Sequence, residues 1–274
     1  MRIWAILALW CCGCQALENR LVFHPTPSDP GTARSLPAPL EDVELRTADG
    51  VKIHARWCPH PHAKGALLYC PGNAGNLEGR GKVMRDCWAS LDRSVLIFDY
   101  PGYGRSEGTP SEAGCYAAAH RAYEWLTHVK GIGPETIVIA GESLGGGVAV
   151  ELASKRPHQA LVLIRTFASI PDVAREKVVL SSASSIMVNR FESLKRIPEC
   201  KAPIFIAHGD NDRLIPLAHG ERLRDACTAP VRFHRLDGLG HNDPLPASFF
   251  AELRGFLDQA RISPAAGSSR ADDF

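Results

Sequence analysis

The sequence predicts an α/β domain: a doubly wound, mostly parallel eight-stranded sheet carrying a small helical cap. Three observations predict it. Strand-like and helix-like segments alternate from Val43 to Gln259, several strand-like runs are apolar from end to end, and one connection is longer than a crossover requires.

In chain order, Thr26 to Pro39 is rich in Pro, Ser and Gly and reads as an irregular lead-in. Val43 to Thr47 and Ile53 to Cys58 have the pattern of a hairpin closed by the Asp49-Gly50 turn. Six further strands are expected: Ala66 to Cys70, Val95 to Asp99, Ile137 to Ala140, Leu161 to Ile164, Ile204 to Ala207 and Val231 to Leu236. Helical patterns lie between them, near Leu77 to Leu91, Ser111 to Val129, Leu144 to Lys155, Pro216 to Ala226 and Pro246 to Gln259. Thr109-Pro110-Ser111-Glu112 has the composition of a helix start. From Arg165 to Ala202 the rhythm breaks, and the helical stretch Ile170 to Phe191 is the candidate cap, about 165–202.

The composition narrows the function. Of 274 residues, 45% are hydrophobic and 22% charged, as in soluble globular proteins. Basic and acidic residues number 31 and 30, a balance that argues against nucleic acid as a partner. The domain is expected over 18–262 as one unit, with a disordered tail over 263–274.

Residues 1–17 stand apart as a signal or lipid-anchor segment. Arg2 precedes the unbroken apolar run Ile3 to Trp10, and Cys11, Cys12 and Cys14 follow. The run is too short to span a bilayer and long enough for the apolar core of a secretory signal. Three readings stay open: a degenerate bacterial lipoprotein signal, a palmitoylated cysteine cluster, or a short buried start to a cytoplasmic protein. The first two place the protein at the cell envelope, exported or attached to a membrane. The remaining six cysteines show no CxxC spacing and read as small buried hydrophobes.

Gly141-Glu142-Ser143-Leu144-Gly145 follows one expected strand and opens an expected helix. A turn this sharp needs glycine beside the serine, whose Oγ is pushed out above the sheet. Serine is a weak nucleophile at neutral pH and needs a base oriented by an acid. Two later strand ends supply candidates: Asp210 and Asp212 after Ile204 to Ala207, and His241 after Val231 to Leu236. Asp212 has the better spacing, and Asp210 remains an alternative. The loop Cys70 to Asn76, with Gly72 and Gly75, stands where a donor loop belongs; the backbone N–H groups of Asn73 and Leu144 would hold a developing oxyanion. Cys58, His60 and His62 lack a fourth metal ligand, and the Gly-rich Tyr100 to Ser106 lacks a Walker lysine, so neither is read as a cofactor site; the second is read as a turn packing beside the nucleophile.

These pieces together resemble the α/β-hydrolase superfamily, and within it the Bem46-like and ABHD13/17-like serine hydrolases. The family patterns H-G-N-A-G-N, F-D-Y-x-G-Y-G-x-S-x-G, G-x-S-L-G-G, H-G-D-x-D-x-x-x-P and G-H-N-D fall at Pro71 to Asn76, Phe98 to Gly108, Gly141 to Gly146, His208 to Pro216 and Gly240 to Asp243. The resemblance implies hydrolysis of a small-molecule or lipid carboxylic ester or thioester by Ser143, His241 and Asp212, with no metal or cofactor. The superfamily also holds aminopeptidases, so a peptidase is the alternative. Pro71 departs from the family by replacing the usual His, and Arg165 stands where relatives often carry an acidic residue. The cap's apolar residues Val178, Val179, Leu180, Ile186, Met187, Val188 and Phe191, beside Lys177, Arg190 and Lys195, suggest a shallow apolar groove with a basic rim. Such a groove, open at one end, would favour short to medium acyl esters, or a lipid tail presented from a membrane surface if the N-terminus is anchored.

Overall fold

The computed structural model describes residues 16–28, 40–176 and 181–262. Cys11, Cys12 and Cys14, most of the lead-in, Lys177 to Leu180 and the tail from Ser263 lie outside the described residues.

The chain enters as a short helix, α1 (residues 16–22), and a two-residue strand, β1 (His24–Pro25). The hairpin follows as β2 (Glu41–Arg46) and β3 (Lys52–Cys58), its turn closed by the Gly50 N–H donating to the Thr47 carbonyl at 2.9 Å. Next come β4 (Ala66–Cys70), the two-residue β5 (Ala74–Gly75), helix α2 (Gly81–Leu91) and β6 (Ser94–Phe98). The helix expected from Leu77 opens instead as a 3₁₀ turn, Leu77–Arg80, which Asn76 caps by accepting from the Glu78 N–H at 3.0 Å. Helix α3 (Glu112–Glu124) starts at Ser111, whose hydroxyl accepts from the Gly114 N–H at 3.0 Å, and runs on through a π turn, Trp125–Val129. Then β7 (Ile137–Glu142), α4 (Leu144–Lys155) and β8 (Ala160–Ile164) lead to the cap. After it stand β9 (Ile204–Gly209), α7 (Leu217–Ala226), β10 (Val231–Leu236) and α8 (Ala247–Ile262).

The eight-stranded sheet has the order β10-β9-β8-β7-β4-β6-β3-β2. From β10 to β6 all pairings are parallel, and β3 turns antiparallel on both sides. Strands β4, β6, β8 and β9 are buried at every position, as a sheet covered on both faces demands. Ala118, Val148, Leu152 and Leu223 bring α3, α4 and α7 to one core; Met84, Leu91, Leu253 and Phe256 bring α2 and α8 to the other.

Inside the cap the helical stretch expected from Ile170 to Phe191 is short pieces of helix, not one long one. It breaks into α5 (Ile170–Glu176) and a 3₁₀ turn, Ser181–Ile186, and ends in a non-helical stretch before α6 (Ser193–Arg196). The cause is local: a serine-rich run has little helix preference, and Phe191 adopts a left-handed φ of 43°.

Candidate active site

Strand β7 hands over to α4 through Ser143 alone, with φ 53° and ψ −119°. That backbone is strained for a residue with a Cβ, typically by about 1–3 kcal/mol, and persists only where the surroundings over-determine it. Here they do. A Cβ on Gly141 would stand 2.1 Å from the Gly145 carbonyl oxygen, and one on Gly145 would stand 2.0 Å from the Cys70 oxygen. The two glycines therefore let strand, turn and helix approach to contact. The Ser143 N–H donates to Ile164 at 3.0 Å, and the Thr166 hydroxyl donates to the Ser143 carbonyl at 2.8 Å.

His241, in the loop after β10, places Nε2 3.0 Å from Ser143 Oγ and Nδ1 2.7 Å from Asp212 Oδ2. A carboxylate only accepts, so the shared proton sits on Nδ1 and leaves Nε2 free to accept from the serine. Asp212 is buried, and its Oδ1 accepts from the N–H groups of Leu214 at 2.9 Å and Ile215 at 2.8 Å. Burial alone would push its carboxyl pKa up. The hydrogen bonds from His241 and Ile215, with the imidazoles of His241 and His208 alongside, outweigh this and hold it below the ordinary carboxylate value. Asp210 turns away, accepting from Arg235 at 2.9 Å and from the Gly238 N–H at 2.6 Å. Of the two acids, only Asp212 is joined to His241.

The Leu144 N–H is the first of α4, a position with no partner inside the helix. Asn73 stands on the facing loop, and among the described residues neither its N–H nor that of Leu144 donates to a protein acceptor. A Cβ on Gly72 would come 3.6 Å from Ser143 Cβ, so this loop borders the serine. The loop is held by its carbonyls. The Tyr100 hydroxyl donates to Pro71 at 2.7 Å, the Tyr103 hydroxyl to Asn73 at 2.7 Å, and Arg80 to Gly72 at 3.3 Å and to Ala74. Cys58 is buried on β3, and His60 lies against the Trp88 ring at 4.7 Å. Among the described residues no His, Cys, Asp and Glu side chains cluster in a way that would hold a metal ion.

Residues 65–179 match the family model of the α/β-hydrolase fold. The chain is 36% identical over 229 residues to an uncharacterized protein of Mycobacterium tuberculosis, covering 83% of this chain and 81% of that one. It is 30% identical over 269 residues to protein bem46 of Schizosaccharomyces pombe, covering 90% and 88% of the two chains. To alpha/beta hydrolase domain-containing protein 17B of Homo sapiens it is 30% identical over 226 residues, covering 82% and 77%. The chain belongs to the α/β-hydrolase family, in its Bem46 and ABHD17-like branch. Solved structures agree on the fold: an esterase of Pyrococcus furiosus superposes with a TM-score of 0.69 at 20% identity, covering 87% of this hydrolase and 97% of that chain. The hydrolase GrgF from Penicillium gives 0.68 at 16% identity, over 82% and 100%.

Three parts of this hydrolase's site have contacts that the sequence did not specify. The first is the role of Arg165. This first residue beyond β8 is buried with φ 50°, and its Nη1 donates to the carbonyls of His241 at 2.9 Å and Asp243 at 2.6 Å. Burial draws its pKa down from the ordinary guanidinium value, against the opposing influence of Glu142, Asp212 and Asp243. Arg165 is thus a buried cation that grips the histidine loop. Tyr100 and Tyr103 are the second part: the Gly-rich turn carrying them is what supports the Asn73 loop. The third is the N-terminal segment. The His24 N–H donates to the Asn73 carbonyl at 3.0 Å, Asn73 Nδ2 donates to the Val22 carbonyl at 3.0 Å, and β1 pairs with β5.

The expected cap groove is corrected at Phe191 and Met187. Phe191 is fully buried, its ring edge-on to Tyr116 at 5.5 Å and Phe23 at 6.3 Å, and Met187 packs against the same core. Neither forms a free apolar wall. The basic rim is offset in part, since Arg190 and Lys195 share the one carboxylate of Glu192, at 2.7 and 3.1 Å. Val178, Val179, Leu180 and Lys177 lie outside the described residues. The pattern misled because in a non-helical stretch the apolar side chains alternate between core and surface, whereas a helix would gather them on one face.

Proposed function

We propose that this α/β hydrolase cleaves carboxylic esters or thioesters through a covalent acyl-enzyme. The continuous relay Ser143–His241–Asp212, at 3.0 and 2.7 Å, carries the proposal. Ser143 Oγ attacks the acyl carbon while His241 Nε2 takes its proton. Asp212 steadies the imidazolium that forms, and the N–H groups of Leu144 and Asn73 receive the oxyanion. As the tetrahedral intermediate collapses, His241 returns the proton to the leaving alcohol or thiol. Water, deprotonated by the same imidazole, then releases the acid and restores Ser143.

The test is labelling with a fluorophosphonate probe, followed by p-nitrophenyl acyl esters, acyl thioesters and aminoacyl anilides compared on one preparation. Labelling should map to Ser143, vanish in Ser143→Ala, and accompany turnover of the ester or thioester. Labelling that survives Ser143→Ala, or turnover confined to the anilides, would overturn the proposal, the second outcome in favour of a peptidase.

A further inference from the structure

The parallel strands have a second end. Ser143, Asp212 and His241 stand beyond the C-terminal ends of β7, β9 and β10. At the opposite end, Gly65 precedes β4, Ser94 opens β6 and Thr136 precedes β7. Strand β7 is 6 residues long, so about 20 Å of strand separates the two ends. Between these strand starts, Trp57 of β3 and the last turn of α8 lies a recess of about 510 Å³.

The charged side chains that line it are all cationic: Lys64, Lys130 and Arg261. The nearby carboxylates stand outside the lining. Glu41 holds Lys130 at 2.9 Å, whereas Asp92 and Asp258 are 3.8 and 3.6 Å from Lys64, beyond hydrogen-bond reach. Among the described residues Arg261 pairs with no carboxylate. Ser94 Oγ accepts from the His60 N–H at 3.0 Å, which leaves its own O–H to donate. Trp57, Ala63 and Ile132 supply apolar surface.

A fourth cation lies behind the wall. A Cβ on Gly65, whose φ is 135°, would stand 2.1 Å from the Thr136 oxygen and 2.9 Å from Arg93 Nη1. Gly65 and Thr136 both line the recess, so the Arg93 guanidinium is packed directly against its wall. Arg93 is 2% exposed, with Nη1 donating to the Thr136 carbonyl at 3.0 Å and Nη2 to Gln159 Oε1 at 2.9 Å. Its Nε has no partner among the described residues, and neither acceptor carries a charge. A buried cation without a counterion is costly. Burial, with Arg261 adding repulsion and Asp258 opposing, draws the Arg93 pKa down to about 10.

We propose that this recess binds a small organic phosphate, its phosphate toward Lys64, Lys130 and Arg261 and its apolar body toward Trp57 and Ile132. A phosphate monoester carries about −1.5 to −2 charge at neutral pH and several acceptor oxygens. That suits three cationic side chains, a free hydroxyl and an uncompensated guanidinium better than a single carboxylate does. The volume falls within the range of small-molecule sites, about 300–1,000 Å³. The recess is remote from Ser143, and its occupancy does not depend on the function proposed above.

Calorimetric titration of the full-length protein with 1-naphthyl phosphate at low salt tests this, beside inorganic phosphate and neutral 1-naphthol. The naphthyl phosphate should bind at least about tenfold more tightly than either, since each lacks one half of the contact. Lys64 and Arg261 are exposed, so Lys64→Gln/Arg261→Gln should fold as the parent does and weaken binding at least about tenfold. The milder Arg261→Gln should weaken it about threefold, and salt at about 0.5 M should weaken the parent far more than the double variant. Failure of naphthyl phosphate to bind below about 1 mM would overturn the proposal. So would binding no tighter than that of inorganic phosphate or of 1-naphthol. An affinity that the double variant retains would overturn it too, by placing the site elsewhere on the molecule.

Discussion

The two walls of the cleft are built on different principles. On one side, Ser143, Asp212 and His241 each sit just beyond the end of a parallel strand, β7, β9 and β10, and the register of the sheet delivers them to one edge. On the other side, the Asn73 loop, helix α1 and the cap are fastened by side chains reaching to backbone: Tyr100 to Pro71, Tyr103 to Asn73, Glu18 to Val188. The last pair lies 170 residues apart in the chain. The first wall inherits its precision from a buried sheet. The second depends on individual polar contacts, from the buried Tyr100–Pro71 bond to the exposed Glu18–Val188 one, each worth about 0.5–1.5 kcal/mol net.

The largest effect should come from the strand-end wall. Asp212→Asn should lower kcat by about 10³–10⁴ by losing the acid that orients His241, whereas Asp210→Asn, bound to Arg235 and Gly238, should change kcat less than about threefold. Equal losses in steady-state assays would break the contrast between the two acids. The same substitution has a pH signature. The Asp212 carboxyl lies below its ordinary value when folded, so its ionised form contributes stability above the ordinary carboxylate range. That contribution is lost as pH falls through the folded pKa. Calorimetry should therefore show the Tm gap between the protein and Asp212→Asn narrowing on acidification.

Next in size is Phe191→Ala. The ring fills a fully buried site between Phe23, Tyr116 and Phe167, so its loss should cost about 3–5 kcal/mol in denaturant unfolding. A stable variant with altered chain-length preference would return Phe191 to the substrate side of the cap.

Arg165 joins the two kinds of wall, being a side chain at a strand end that acts through backbone carbonyls. Arg165→Met should lower kcat by roughly tenfold to a hundredfold with KM little changed, because the His241 loop loses its tether while the binding surface stays. Arg165→Lys, which keeps the charge and one donor, should recover part of the loss. Equal effects on kcat and KM would show that Arg165 serves binding as well.

The smallest effect belongs to the second wall. Glu18→Ala removes the acceptor for two N–H groups of the cap and should lower stability by about 1 kcal/mol and raise KM a few-fold. A variant indistinguishable in thermal unfolding and kinetics would mean that helix α1 rests on the cap without shaping it.

What could be read from the chain alone was what is local. Short apolar runs bounded by turn residues, such as Ala66 to Cys70 and Ile204 to Ala207, read as covered strands, and Gly141 and Gly145 announce a turn that tolerates no Cβ. Eight strands, the turn at Ser143 and the strand ends carrying Asp212 and His241 were legible for that reason. The Gly-rich turn was legible as a turn, but its job was not, because Tyr100 and Tyr103 find Pro71 and Asn73 only once β6 lies beside β4.

Three matters were decided only in three dimensions. Asp212 rather than Asp210 joins His241, because the two acids leave the same strand end in opposite directions. Phe191 is buried although its neighbours promised a helix face, since a left-handed φ turns the chain inward there. Arg165 could be seen as a departure but not as a tether, because its partners are the carbonyls of residues 76 and 78 positions away, and a backbone carbonyl has no residue type for a sequence to display.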